Sequence, residues 1–216
     1  MRTLLAVLRK DLMVEGRSRD LIPAMALLAL LLLALSGSAG IRGAPSSIVV
    51  WIAVVVSAAL GLTRSFGLET DQEQIHGLRM APVDPGWIFL GKAAANFLLV
   101  AVVEVLALGA AVVFLDLPVG GRLAPLSGVL ALGGAAIVSL GTLLGALLAV
   151  TRLREALLPL LLLPLSAPAV MAASGATVKL LGTRPEPVTG EVVLLAAFLL
   201  LFVALGLLLF EYVIED

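Results

Sequence analysis

Few side chains in this sequence have the types and spacing that catalysis or metal binding requires. The chain has no cysteine and a single histidine, His76. Thiolate catalysis and cysteine-based metal sites are therefore excluded, and a centre built from histidine ligands of this chain alone is not expected. Serine hydrolysis needs a base within reach of the nucleophile, and the serines in apolar stretches (Ser57, Ser139 and Ser166) have no histidine to activate them. The sequence thus predicts a protein that is not an enzyme and binds no metal.

The stretch from Gly86 to Lys92 matches the start of the phosphate-binding loop pattern G-x-x-x-x-G-K. Such a loop follows a buried strand, cradles phosphate with a glycine-rich backbone and ends in a Ser or Thr that binds Mg²⁺. Here the intervening residues are bulky and apolar, and Ala93 takes the place of the hydroxyl residue. We interpret the match as accidental. If ATP drives this protein, another polypeptide binds it.

Glu104 is an ionisable residue in the middle of a long apolar run. A charged group at that depth of a membrane is costly when it faces lipid, so the side chain is expected to face the bundle interior, a cavity or a partner subunit. It is either a proton- or substrate-binding group, or a structural carboxyl kept neutral by burial or hydrogen-bonded to a neighbouring helix. The sequence leaves both alternatives open.

The elements that position these residues are membrane helices. Of the 216 residues, 61% are hydrophobic and 13% charged, whereas soluble domains average about 45–50% apolar and about 25% charged residues. The 14 Lys and Arg residues against 15 Asp and Glu residues give no basic surplus for binding nucleic acid. We predict one all-α, polytopic membrane domain over residues 1–216, without a separate soluble domain.

Six apolar blocks predict six transmembrane helices, over residues 21–40, 46–64, 87–115, 123–150, 155–178 and 191–213. The fifth block contains Pro159, Pro164 and Pro168, which predict a kinked span that need not cross in one straight piece.

Three glycines of the fourth block, Gly134, Gly141 and Gly145, lie near one helical face, and the last two form G-x-x-x-G. Small residues let a second helix approach closely. The pattern does not decide whether that helix belongs to the same chain or to a second copy.

Ten Lys and Arg residues lie in the N-terminal segment, in the loops after the second and fourth blocks, or just inside the third block, against four on the opposite side. The positive-inside rule therefore predicts that both termini are cytoplasmic. Residues 1–17 place leucines on one helical face and cations on the other. This pattern is typical of an interfacial amphipathic helix, the alternative being a solvated helix with orienting charges.

The one sizeable polar segment is residues 64–86, and it is acidic. It carries Glu69, Asp71 and Glu73 together with intermittent apolar residues such as Phe66 and Leu78. Long connections with patterning of their own are often functional. The alternative is a solvated amphipathic linker.

Two stretches of the sequence carry a family resemblance. They are GLRMAPVDPGWIFLGKAAANFLL (Gly77 to Leu99), which follows Trp51 to Arg64 and the acidic segment, and SLGTLLGALLAVTRLREALLPLLLLPLSAPAV (Ser139 to Val170). They resemble the haem exporter protein B family, the permease subunit of the ABC system for cytochrome c maturation. The resemblance covers nearly the whole chain. It departs from the family pattern at His76, where an acidic residue is expected before the glycine.

The resemblance implies a fold similar to the type-2 ABC exporter permease, with an amphipathic elbow helix (1–17), six spans and a cytoplasmic coupling segment (64–86). It implies a separate ATPase subunit as partner, further cytochrome c maturation membrane subunits, a second permease copy and a location in the bacterial inner membrane. ATP would bind to the partner, and haem would be a transported or handled ligand rather than a cofactor of this chain. The coupling candidates are Phe66, Glu69, Asp71, Glu73, Gly77 and Leu78.

Three alternatives remain. A permease of the same broad fold would export lipid or drug, a non-transporting scaffold would only assemble other subunits, and a membrane enzyme is the least supported by the residues.

Overall fold

The described part of the chain is built from helices. The computed structural model describes residues 20–71, 85–149, 151, 153–184 and 186–215 together with Arg9 and Met13, and the side chains of all these residues except 66–71 and 211–215. The α-helices within these ranges are α1 (Leu21–Ser38), α2 (Ser47–Asp71), α3 (Pro85–Phe114), α4 (Leu123–Leu147), α5 (Arg154–Leu165), α6 (Ala167–Leu181) and α7 (Thr189–Glu215), and a short 3₁₀ turn (Ala44–Ser46) precedes α2.

The helices match the predicted spans. Within the described ranges, α1, α2, α3, α4 and α7 are each long and apolar enough to cross a membrane. Helices α5 and α6 are long and apolar enough to cross it together, as one bent pair. The predicted all-α, polytopic architecture is therefore confirmed. The second span differs at its end: the apolar block was expected to stop at residue 64, whereas α2 continues as a helix to Asp71.

Three connections meet at one end of the bundle, which we call the far end. The backbone N–H of Gly43, before α2, donates to Leu115 O, after α3, at 2.7 Å. Arg122, before α4, donates through Nη1 to Leu180 O at 2.7 Å and to Gly182 O at 2.6 Å, at the end of α6. We call the opposite end, where residues 72–84 join α2 to α3, the loop end.

These contacts show that α5 and α6 together cross the bundle. Helix α5 begins shortly after α4 ends, at the loop end, and α6 ends beside Arg122 at the far end. The crossing is bent by 50° between the two helices. Pro164 and Pro168 have no N–H to donate, so helical hydrogen bonding is interrupted there. Between the two prolines, the Ser166 hydroxyl donates to Leu163 O at 3.1 Å. The predicted kink thus lies at Ser166.

Helices α2 and α4 form the centre of the bundle. Each packs against most of the other helices. In the most apolar 18-residue stretch of α4, 83% of the residues are buried, compared with 17% in that of α7. The outer helices expose leucines, as expected of surfaces that face lipid. Several polar side chains of α2, α3 and α4, among them Ser57, Asn96 and Thr142, are buried in the protein interior.

Candidate functional site

The structure places part of the predicted coupling segment on a helix. Residues 64–71 form the last turns of α2, so Phe66, Glu69 and Asp71 lie on a continuous helical backbone. The remaining candidates, at 73, 77 and 78, lie outside the described residues, as does most of the predicted elbow helix over 1–17. The predicted coupling segment therefore begins on a helix that packs in the centre of the bundle.

The stretch that matches the phosphate-binding loop is helical. Gly86 to Lys92 belong to the first turns of α3, and both of these residues are buried. A loop that wraps phosphate needs free backbone N–H groups, which a helical segment uses within itself beyond its first turn. The local structure therefore gives this stretch none of the geometry of a nucleotide site.

A polar network joins three helices near the loop end. Ser65 on α2 donates to Asn96 Oδ1 on α3 at 3.2 Å, and Asn96 Nδ2 donates to Thr142 Oγ1 on α4 at 3.3 Å. Asn96 and Thr142 are buried. Ser65 follows Arg64, which ends the apolar run of α2, and precedes the acidic turns. The network therefore connects the root of the coupling segment to both neighbouring helices.

Glu104 lies inside the bundle, against the backbone of α4. Its side chain is 2% exposed, and Oε1 has no hydrogen-bond partner among the described residues. The carboxyl group occupies the space that Gly134 leaves open: a Cβ atom at Gly134 would lie 2.9 Å from Glu104 Cδ. Glu104 therefore faces the protein rather than lipid, and any side chain at 134 would displace it.

The two contacts between α3 and α4 share one register. Glu104 lies opposite Gly134 and Asn96 opposite Thr142, so both steps are eight residues on antiparallel helices. Eight residues correspond to about 12 Å along the axis. Two buried polar positions thus line one seam, one near the membrane centre and one near the loop end.

The glycines of α4 admit neighbours of the same chain. A Cβ at Gly133 would lie 2.7 Å from Trp51 Cζ3, and the closest neighbour at Gly141 is the Leu62 side chain of α2. Gly145 is buried on the same helix. At Gly134 and Gly141 the close approach is therefore intramolecular, which the sequence left undecided.

Sequence reasoning did not single out several buried polar residues. Asn96, Thr142 and Thr177 lie in apolar runs in the same way as Glu104, and the same criterion would have found them. Their pairing was not readable, because it depends on how the helices rotate and cross. An ion pair between Lys179 Nζ and Glu191 Oε1, at 2.6 Å, likewise joins α6 to α7 across the far end.

The fold and the candidate site show the class of protein to which the chain belongs. The described residues form a polytopic helical membrane protein with a buried polar seam, and they contain no cluster of three or more His, Asp or Glu side chains able to hold a metal ion. The chain matches the model of the CcmB protein family over residues 2–214, and it belongs to that family. It is therefore a multi-pass membrane component of the ABC system for haem export and cytochrome c maturation. The CcmB family consists of transporter subunits rather than enzymes. No curated protein matches the chain.

Proposed function

We propose that the chain is the permease subunit of an ABC transporter complex that exports haem, or releases a haem-loaded chaperone, in c-type cytochrome biogenesis. ATP is hydrolysed by a separate subunit that grips residues 64–86. Membership of the CcmB family supports the pathway. The proposed mechanism rests on helix α2, which is unbroken from the far end to Asp71.

The length of α2 makes its last turns project beyond the apolar span. The helix has 25 residues, about 38 Å at 1.5 Å per residue, against a hydrocarbon core of about 30 Å. Arg64 ends its apolar run, so Phe66, Glu69 and Asp71 belong to the projecting part. A partner that binds these turns therefore binds the end of one continuous helix that extends to the far end.

The chemistry of the projecting turns suits a basic partner surface. Clustered carboxylates at 69, 71 and 73 complement a groove lined by Arg or Lys, and such complementarity sets specificity and association rate. Phe66 and Leu78 supply apolar anchors, which dominate the energy of many interfaces, and Gly77 allows a tight turn between them.

A displacement of α2 by the bound partner is transmitted to the bundle through the Ser65–Asn96–Thr142 network. Because Asn96 bonds to both neighbours, a displacement of the α2 root acts first on α3 and, through Asn96, on its contact with α4. Packed helices respond as rigid bodies with two arrangements rather than by continuous deformation. The network is therefore a mechanical connection between the ATPase and the buried seam.

The complex contains haem and further subunits besides the ATPase. Haem is handled rather than ligated, since the six apolar blocks contain no histidine and no cysteine with which to hold the iron. Other cytochrome c maturation membrane subunits and a second permease copy complete the assembly, in the bacterial inner membrane with both termini cytoplasmic.

A pair of charge reversals tests the coupling segment. Glu69→Lys with Asp71→Lys is expected to reduce co-purification of the ATPase and the yield of c-type cytochromes, while the chain still inserts. The matched control is Asp20→Lys with Glu155→Lys. Both control residues are exposed acids near the loop end but outside the segment, and the two double variants change the net charge equally.

Four outcomes separate the alternatives. Loss of the ATPase only in the segment variant supports the proposal. Normal ATPase recovery and normal cytochrome levels in both variants identify residues 64–86 as a solvated linker. An assembled complex in which ATP changes nothing indicates a scaffold, and normal cytochromes with lost export of lipid or drug indicate a different cargo.

A further inference from the structure

The buried carboxyl of Glu104 has no role in the coupling just proposed. Its side chain is 2% exposed, and Oε1 is buried without a hydrogen-bond partner in the described part of the chain. It is packed directly on the Gly134 backbone, with no room for another group between them. A carboxylate in this position would carry a full charge with one oxygen unsatisfied, which proteins avoid by keeping such a group neutral.

The helices around Glu104 bring no cation to its depth. Helices α1, α2, α4 and α7 pack along α3. Neither α1 nor α4 contains a titratable residue, and those of α2 (Arg64, Glu69, Asp71) are confined to its last turns. Those of α7 (Glu191, Glu211, Tyr212, Glu215) lie near its two ends. On α3 itself, Lys92 is twelve residues away, about 18 Å along the helix.

A second unpartnered polar atom lies at a similar depth. Ser57 on α2 is fully buried, and its Oγ has no hydrogen-bond partner among the described residues. The hydrogen bond from Gly43 to Leu115 sets α2 and α3 level at the far end. Glu104 is eleven residues below Leu115, about 16 Å, and Ser57 is ten residues below the start of α2, about 15 Å. The centre of the bundle thus keeps two polar groups that its closed packing leaves unsatisfied.

We infer that Glu104 is a proton-binding site whose occupancy is tied to the α3–α4 seam. With the seam closed on Gly134, the carboxyl keeps its proton. When α3 and α4 part, water reaches Oε1, the proton passes to that water as hydronium, and the carboxylate left behind is hydrated. A separated seam therefore favours the charged form and a closed seam the neutral form, so that proton release accompanies opening.

The first test measures the proton directly. The full chain in lipid nanodiscs is examined by infrared difference spectroscopy against Glu104→Gln and, as a second variant that removes the acid, Glu104→Met. At neutral pH we expect the wild type to show a carboxylic acid C=O band that both variants lack. The control is Glu191→Gln, which removes a carboxylate paired with Lys179 and leaves that acid band in place.

Heat stability gives an independent reading. If the folded chain holds a proton that the unfolded chain releases, stability falls as pH rises, because the native state binds more protons. We expect this fall in the wild type and its absence in Glu104→Gln. Carboxylate bands in place of the acid band at neutral pH, or the same pH dependence in Glu104→Gln as in the wild type, would overturn the inference.

The second test locks the seam. Because the chain has no cysteine, Asn96→Cys with Thr142→Cys joins α3 to α4 where the two side chains are 3.3 Å apart. Since the short connection over residues 115–122 already joins α3 to α4 at the far end, this disulfide should keep the seam closed and retain the acid band to a pH higher by about one unit, a tenfold change in the proton equilibrium. Reduction should restore the original titration.

A disulfide elsewhere is the matched control. Ser47→Cys with Ser174→Cys joins α2 to α6, where the two hydroxyls are 3.3 Å apart, and leaves the α3–α4 seam unlinked. Equal titration of the oxidised and reduced 96–142 pair would refute the link between opening and proton release. None of these measurements involves an ATPase or a cytochrome, so their failure is distinct from failure of the proposed function.

Discussion

The indole Nε1 of Trp51 donates a hydrogen bond to Thr177 Oγ1 at 3.1 Å, and this bond ties α2 to α6. Both residues are buried, and Thr177 Oγ1 in turn donates to Ala173 O at 2.8 Å. The ring of Trp51 also fills the space over Gly133 of α4. One side chain therefore fixes the second half of the bent crossing against both central helices.

Replacing the acceptor should weaken the fold measurably. Thr177→Val leaves the Trp51 N–H unpartnered, and we expect a loss of about 0.6–1.7 kcal/mol, the range of interhelical hydrogen bonds in membrane proteins. Unfolding of the full chain in mixed micelles gives the value. Trp51→Phe should cost less in a Thr177→Val background than in the wild type, because the bond is already lost and only the packing over Gly133 remains to be removed. Ser127→Ala, at an exposed hydroxyl, is the control, and equal losses in the two variants would contradict the prediction.

Close backbone approach at Gly37 predicts a larger effect. A Cβ there would lie 3.1 Å from Phe114 C and closer still to Phe114 O, so the end of α3 would have to move away from α1. We expect Gly37→Ala to lower the free energy of unfolding by about 1–3 kcal/mol, as for an overpacked core. Gly109→Ala, on lipid-exposed α3 surface with nothing within 4 Å, should be neutral or stabilising. Equal stability of the two variants would argue against this contact.

Arg122 should contribute more stability than Arg42, although both are far-end arginines. Arg122 donates to two carbonyls at the end of α6, whereas Arg42 forms an exposed ion pair with Asp116. We expect Arg122→Gln to cost about 1.5–3 kcal/mol, and Arg42→Gln no more than about 1 kcal/mol because solvent screens the pair. Each variant removes one positive charge, so an effect on insertion would appear in both. Chemical unfolding of each variant checks the difference.

Single cysteines test the orientation. Gly120→Cys, exposed at the far end, should react with an impermeant thiol reagent in intact cells. Glu155→Cys at the loop end, and Gln74→Cys and Ser18→Cys at positions outside the described residues, should react only after permeabilisation. The cysteine-free background leaves no competing thiol. Labelling of Gln74→Cys in intact cells would place the acidic segment outside the cytoplasm.

Apolar runs were sufficient to predict the spans, because hydrocarbon requires about 20 apolar residues per helix. They do not show where α2 itself ends, because Arg64, Glu69 and Asp71 end the apolar run but not the helix. Hydropathy reports where the membrane ends, while helix propensity and backbone hydrogen bonding decide where the helix ends. The bend between α5 and α6 was predictable from the prolines, since their missing N–H groups are a local property.

The contacts of Glu104 and Asn96 were not predictable in the same way. The sequence places each of them within an apolar run, but their partners Gly134 and Thr142 lie thirty and forty-six residues away. Which residues meet depends on the rotation and crossing of whole helices, and small residues such as Gly134 allow several packings. The sequence therefore indicated that Glu104 faces the interior, and only the packing identified the surface it faces.

The hydrogen bond between Gly43 and Leu115 gives the bundle a fulcrum at the far end. Measured from it along α3, Glu104 and Asn96 lie eleven and nineteen residues away, about 16 and 28 Å. A rigid rotation about that point displaces each residue in proportion to its distance, so Asn96 moves nearly twice as far as Glu104. In such a rotation, a displacement applied at the loop end is reduced to a smaller displacement at the depth of Glu104.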